Sequence, residues 1–173
     1  NGLKDMQVVL IGSGNVATVL GRLFVNKGHA VVQVAGRNET AVNALAATLR
    51  AKPAYDLKDL SDAEIYVIAV SDNSIEAVAA QLSLHNKLVV HTAGAVSKEV
   101  LKSTGGDYGV IYPLQSLRKE MKTIPEIPLF LDGNTIDTLT RLEIFAGSLS
   151  AEVTSADDDM RSRLHLAAVL VSN

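Results

Sequence analysis

The run Val8-Val9-Leu10-Ile11-Gly12-Ser13-Gly14-Asn15-Val16-Ala17 places four apolar β-formers directly before a glycine turn and the first residues of a helix. An unbroken apolar strand suits a position covered on both faces, as in a parallel sheet. After the turn, Val16, Val19, Leu20, Leu23 and Phe24 recur at the i, i+3, i+4, i+7, i+8 spacing that lays one apolar stripe along a helix. Gly28 falls where that helix must end, at a position tolerant of positive φ. The turn itself matches G-x-G-x-x-G/A. In that pattern Gly12 permits the tight turn, Gly14 lets the backbone approach a pyrophosphate, and Ala17 lets helix and strand pack closely. The free N–H groups and the positive dipole end of the helix would then face phosphates. Gly12, Ser13, Gly14, Asn15 and Val16 are therefore expected to bind a dinucleotide, a tight turn without a ligand being the plain alternative.

The pattern repeats outward from this unit. Residues 30–34 read as a second strand, and Asn38 can cap a second helix with Val42, Leu45, Ala46 and Leu49 facing inward. A short edge strand is expected at 52–55. A fully buried strand follows at 65–70, then a helix capped by Ser71 or Asp72 that carries Ile75, Val78, Ala79 and Leu82. Leu88-Val89-Val90 and Gly109-Val110-Ile111 are further strands. This alternation implies right-handed crossovers and an α/β fold built on a doubly wound, mostly parallel sheet. Residues 113–128 contain three prolines and no period, so a surface loop is expected there. Leu129-Phe130-Leu131, a helix over 136–146 and a strand at 151–153 would extend the sheet edge. Ser155 with Asp158 forms a variant capping box for a last helix, apolar nearly all round from 164 to 171. Residues 1–154 are thus expected to form a dinucleotide-binding domain. Residues 155–173 are read as the first helix of an incomplete all-helical domain, covered by an absent remainder or by another subunit. A homodimer through that region is the corresponding expectation.

Composition narrows the functions. With 173 residues, 47% hydrophobic and 20% charged, the chain can bury one sizeable core. The absence of cysteine excludes disulfides, thiolate catalysis and iron–sulfur ligation, and it suits a cytoplasmic setting. A net charge of −3 offers no general hold on nucleic acid, and 4% aromatic residues without tryptophan supply no stacking platform. The longest apolar runs, 65–70 and 164–171, fall far short of the ~20 residues a membrane span needs. Asp157-Asp158-Asp159 is read as dipole-complementing acid answered by Arg161 and Arg163, with no metal expected, because adjacent side chains on a helix diverge. Arg118, Lys119 and Lys122 are read as solvated.

The cofactor follows from the end of the second strand. Sites for NAD carry an acid there, ~20 residues past the glycines, to hold the ribose hydroxyls. Here Gln33-Val34-Ala35-Gly36-Arg37-Asn38 contains no carboxylate, and Arg37 offers a planar fork suited to a 2′-phosphate. Such a charge-assisted bond contributes roughly 1.5–3 kcal/mol, about 10- to 150-fold in preference. NADP is the expected cofactor, with Gly36, Arg37 and Asn38 at its adenosine end. The missing acid also argues against an S-adenosylmethionine methyltransferase. Ser71, Asp72 and Asn73 after the fourth strand would lie near the ribose and nicotinamide, with Val70 counted among the cofactor-binding residues. Thr92, Ala93 and Gly94 after the fifth are small enough to leave room for the ring. His91 at that strand end is one candidate proton donor, and Tyr112 is another. His29 and His85 fall in turns and are read as exposed.

The glycine turn, Gly36-Arg37-Asn38, Val70-Ser71-Asp72 and His91-Thr92-Ala93-Gly94 together resemble the NADP oxidoreductases related to the deazaflavin-dependent family. Pyrroline-5-carboxylate reductase and the 6-phosphogluconate and hydroxyacid dehydrogenases lie in the same wider superfamily. His165-Leu166-Ala167-Ala168-Val169, ending in Ser172-Asn173, is similar to a subgroup in which a Rossmann-like domain precedes a helical domain of unknown function. The resemblance implies that the last helix lines the cleft, which makes His165 and Asn173 catalytic candidates beside His91. It implies an oxidoreductase moving a hydride between NADP(H) and a small carbonyl, imine or alcohol, the alternative being an NADP-binding sensor or interaction module without turnover. The chain departs from the pattern at Tyr112-Pro113-Leu114, where relatives often carry His-Pro-Leu.

Overall fold

The apolar run that opens the chain is strand β1 (Gln7–Ile11), and the computed structural model, which describes residues 5–172, places it inside an eight-stranded sheet. In chain order the other elements are α1 (Asn15–Asn26), β2 (Ala30–Ala35), α2 (Glu39–Leu49), β3 (Lys52–Ala54), β4 (Ile65–Ile68), α3 (Asp72–Ala80), β5 (Leu88–His91), β6 (Asp107–Pro113), β7 (Leu129–Gly133), α4 (Ile136–Gly147), β8 (Val153–Ser155) and α5 (Asp158–Ser172). Short 3₁₀ turns at Leu57–Asp59 and Lys98–Thr104, which no periodicity announced, complete the order.

The strands lie in the order β3-β2-β1-β4-β5-β6-β7-β8. All neighbours are parallel except β6 with β7, so the fold is the expected doubly wound, mostly parallel α/β sheet. The chain winds from β1 to β2 and β3, then returns across β1 to β4, β5 and β6. The switch point between β1 and β4 therefore opens at the carboxyl edge, where such sheets hold their ligands.

Alternation along β1 divides the core into two layers. Val8 and Leu10 face α1, α2 and α4, packing with Leu20, Phe24, Leu45 and Phe145. Val9 and Ile11 face the other way, toward Ile75 and Ala79 of α3 and Leu101 of the second 3₁₀ turn. Both layers are closed to solvent, which is why Val8–Ile11 of β1, all of β4 and Leu88–Val90 of β5 form hydrophobic runs.

Several boundaries and environments differ from the expectations above. The fourth strand ends at Ile68, leaving Ala69 and Val70 in the turn, and the last strand is Val153–Ser155 instead of 151–153. Residues 114–128 carry no helix or strand, but the segment is more than surface. Leu117 and Ile127 are buried in the first layer, and the Arg22 guanidinium donates to the Met121 and Lys122 carbonyls (2.5 and 3.0 Å). His29 is buried, not exposed. Its Nδ1 accepts from the Met6 N–H (2.9 Å), its Nε2 meets Ser148 Oγ (2.7 Å), and its ring packs edge-on against Phe145. The expected Ser155–Asp158 capping box does not form, because Ser155 belongs to β8. Asp157 Oδ1 instead accepts from the Met160 N–H (2.8 Å), and Asp158 turns toward Arg161. Among the described residues no helix is long and apolar enough to cross a membrane.

Candidate functional site

Gly12 leaves β1 with φ +122° while its N–H donates to the Ala35 carbonyl of β2 (2.8 Å). A Cβ at this position would stand 2.2 Å from the Ala69 carbonyl oxygen, so both the backbone angle and the approach of β4 require glycine. Gly14, the residue before α1, is different. Its backbone is extended, and a Cβ built on it meets nothing within 4 Å, so the space in front of the turn is open.

That open space is the N-terminus of a twelve-residue helix with no side-chain cap and no acid in its first turn. By contrast α2 is capped by Asn38 Oδ1 accepting from the Ala41 N–H, and α4 by Thr135 Oγ1 accepting from the Thr138 N–H, each at 3.1 Å. The first amides of α1 lack any such acceptor and carry the positive dipole end. They open into a cavity of about 890 Å³ at the switch point. A diphosphate fits this cradle: donors without acceptors, no Cβ in the way, and a volume adequate for an extended ligand.

Gly12 through Val16, Gly36, Arg37, Asn38, Val70, Ser71 and Asp72 all line this cavity, as does Asn73. Arg37 is exposed at its rim and has no ion-pair partner among the described residues. Asn15 is more constrained than its position suggested, for its Oδ1 accepts from the Lys119 N–H (2.9 Å) and ties the 114–128 segment to the glycine turn. Ser71 occupies the cap position of α3, yet its hydroxyl meets Ser74 Oγ (3.0 Å) instead of a backbone N–H. Thr92 is buried and does not reach the cavity wall. Tyr55, Asp56 and Leu57 line the cleft as well and escaped the sequence reading. They follow β3, so the rule that strand ends face the ligand would have found them had the short edge strand been given equal weight. Asp56 is not a free acid at that wall, since its carboxylate accepts from the Lys58 N–H (2.9 Å).

Farther along the carboxyl edge, Tyr112 near the end of β6 meets His165 of α5. Tyr112 Oη lies 3.1 Å from His165 Nδ1, and the rings stand edge to face at 6.0 Å between centroids. Gly94 lies under both: a Cβ there would be 2.7 Å from Tyr112 Cζ and 2.9 Å from His165 Cβ. Burial and the negative charge of Asp72 push the Tyr112 hydroxyl above its usual pKa. Neither Tyr112 nor His165 is among the residues that line the switch-point cavity.

His91 does not join them. It is wholly buried, its Nδ1 accepts from the Ala93 N–H (3.0 Å), and its Nε2 bonds the Ser97 carbonyl (3.2 Å). Burial lowers its pKa to about 4, so at neutral pH the ring is uncharged, its one N–H is donated from Nε2 to the Ser97 carbonyl, and neither nitrogen is free. His91 shapes the 92–98 turn. Asn173 lies outside the described residues.

What holds α5 in place is a buried cation. Arg161 is fully enclosed and donates to Asp132 (3.0 Å), Asp158 (2.5 Å) and the carbonyls of Ala156 and Val96. Only its Nε lacks a partner among the described residues. Lys98 also reaches Asp132 (3.1 Å). Burial pulls the Asp158 carboxyl upward, but bonds from Ser97, the Lys98 N–H and Arg161 outweigh this and hold it at about 2.

A family model of coenzyme F420-dependent NADP oxidoreductases matches residues 7–94. An assigned NADP oxidoreductase from Bacteroides fragilis is 32% identical and superposes with a TM-score of 0.91 over 98% of this chain and 68% of its own. Pyrroline-5-carboxylate reductase from Coxiella burnetii is 16% identical, with a TM-score of 0.76 over 98% of this chain and 68% of its own. A reductive aminase from Aspergillus terreus, solved with NADPH and ethyl-5-oxohexanoate, is 18% identical, with a TM-score of 0.73 over 98% of this chain and 61% of its own. The last two likenesses concern the fold alone, and the chain spans about two thirds of the length of these proteins. Among curated proteins none matches.

Proposed function

Because the chain belongs to the family of coenzyme F420-dependent NADP oxidoreductases, we propose that it binds NADP(H) in the switch-point cleft and serves hydride transfer to or from a small carbonyl, imine or alcohol substrate. One observation carries this reading: the uncapped N-terminus of α1 opens onto the same cavity whose rim holds the unpaired Arg37. The first amides of α1 would hold the diphosphate, and the Arg37 fork would take the 2′-phosphate that distinguishes NADP from NAD. Ser71 and Asp72 would border the ribose on the nicotinamide side. When bound, the nicotinamide supplies the hydride chemistry. The chain's task is to orient the ring and to exchange a proton with the substrate heteroatom. His165 is the group proposed for that exchange, since its Nε2 has no partner among the described residues.

Leu166, Leu170 and Val171 on α5 are 59%, 68% and 86% exposed, which supports association of two copies through the helical region. Sedimentation would then show a dimer that Leu170→Glu dissociates, and a concentration-independent monomer would remove that part of the proposal. A cytoplasmic setting, suited to a cysteine-free chain, is part of the same reading.

Parallel calorimetric titrations with NADPH, NADH and S-adenosylmethionine test the cofactor. NADPH is expected to bind at least tenfold more tightly than NADH, and S-adenosylmethionine not at all. Preference for NADH, or binding of S-adenosylmethionine, overturns the proposal.

A further inference from the structure

The strand ends along the carboxyl edge run in a fixed sequence: the glycine turn after β1, Asp72 after β4, Gly94 after β5 and Tyr112 on β6. Three strand spacings of ~4.8 Å put Tyr112 about 14 Å from the diphosphate cradle, on the side away from Arg37. At that far end a phenol, an imidazole and a residue that has to be glycine converge. Lys98 and Arg161, the nearby cations, are both committed to carboxylates.

We propose that Tyr112 is the positioning residue for His165. Its hydroxyl engages Nδ1 and fixes the ring so that Nε2 faces the nicotinamide end of the cleft. This rests on the dinucleotide reading above. The two rings pack edge to face, and Gly94 lies against Tyr112 and the His165 Cβ, so the imidazole is held from its base and at Nδ1. In the reducing direction the bound dihydronicotinamide would supply a hydride to the carbon of a C=O or C=N group. The π pair moves to the heteroatom, which takes the proton from Nε2 of protonated His165. The imidazole is left neutral with its Nδ1 proton shared with Tyr112, and solvent restores the lost proton. In the oxidising direction the same neutral ring accepts at Nε2.

Nitrogen-15 spectra of the histidine rings, recorded with NADP⁺ and separately with 2′,5′-ADP, which lacks the nicotinamide, test this without a substrate. His165 resonances, assigned through His165→Gln, are expected to shift with NADP⁺ and stay in place with 2′,5′-ADP. Tyr112→Phe keeps the ring over Gly94 and removes only the hydroxyl. It should leave NADP⁺ affinity within twofold while changing the His165 tautomer balance. Equal responses to both ligands, or an unchanged tautomer in Tyr112→Phe, overturn the assignment while cofactor binding stands. If neither ligand binds, the dinucleotide reading itself fails.

Discussion

Gly12 stands so close to Ala69 that the Cβ of any other residue would lie 2.2 Å from the Ala69 carbonyl oxygen. This contact joins the ends of β1 and β4 at the switch point, and it separates two glycines that look alike in the motif. Gly12→Ala meets both the carbonyl and the positive φ and should cost at least about 2 kcal/mol of stability. Gly14→Ala meets neither, so its stability should stay within about 0.5 kcal/mol. Its NADPH affinity should nonetheless fall tenfold or more, because the new methyl fills the space in front of the cradle. Urea denaturation and calorimetry on the two variants read out both effects.

Among the described residues that line the cleft, Arg37 alone carries a guanidinium fork, and Arg37→Ala removes it. NADPH binding should weaken about 10- to 150-fold, as expected for the loss of a charge-assisted bond of roughly 1.5–3 kcal/mol. NADH binding should barely change. Comparable losses for the two cofactors, measured side by side by calorimetry, would assign Arg37 a general electrostatic role instead.

Arg161 is buried against two carboxylates, and truncating one member of such a network strands the others. Arg161→Met should cost about 3–5 kcal/mol in urea denaturation. The alternative outcome, a loss below about 1 kcal/mol, would mean that Asp132 and Asp158 are already solvated by other routes.

His91 links stability to pH. Its folded pKa of about 4 lies below the ordinary value, so the folded state binds fewer protons than the unfolded one between about pH 6.5 and 4. Its contribution is therefore complete above about pH 6.5 and is lost as pH falls toward 4, amounting to about 3 kcal/mol. His91→Asn retains an acceptor for the Ala93 N–H and does not titrate. Denaturation midpoints from pH 7 to pH 4 should fall more steeply for the natural chain than for this variant.

The parts of the fold that could be read from the chain are those with local causes. The strand–turn–helix unit at 8–24 depends on side-chain period, on a glycine at positive φ and on the absence of a cap, all within a few residues of one another. The same is true of Asn38 capping α2 and of Arg37 standing in the turn after β2. The short strand β3 is expected near 52–55, but Tyr55, Asp56 and Leu57 are missed because only the ends of the longer strands are assigned as ligand positions.

What the tertiary structure added joins residues far apart along the chain. Tyr112 and His165 are 53 positions apart, His29 and Ser148 are 119 apart, and Arg161 reaches the Val96 carbonyl 65 positions away. Lone histidines at 29 and 91 carry the same sequence signal as a free one, yet packing encloses both and engages every ring nitrogen. Backbone angles and apolar periods are properties of neighbours in the chain and can be inferred from them. Burial and partner choice are properties of the space left between packed elements, and that space exists only once the sheet has formed.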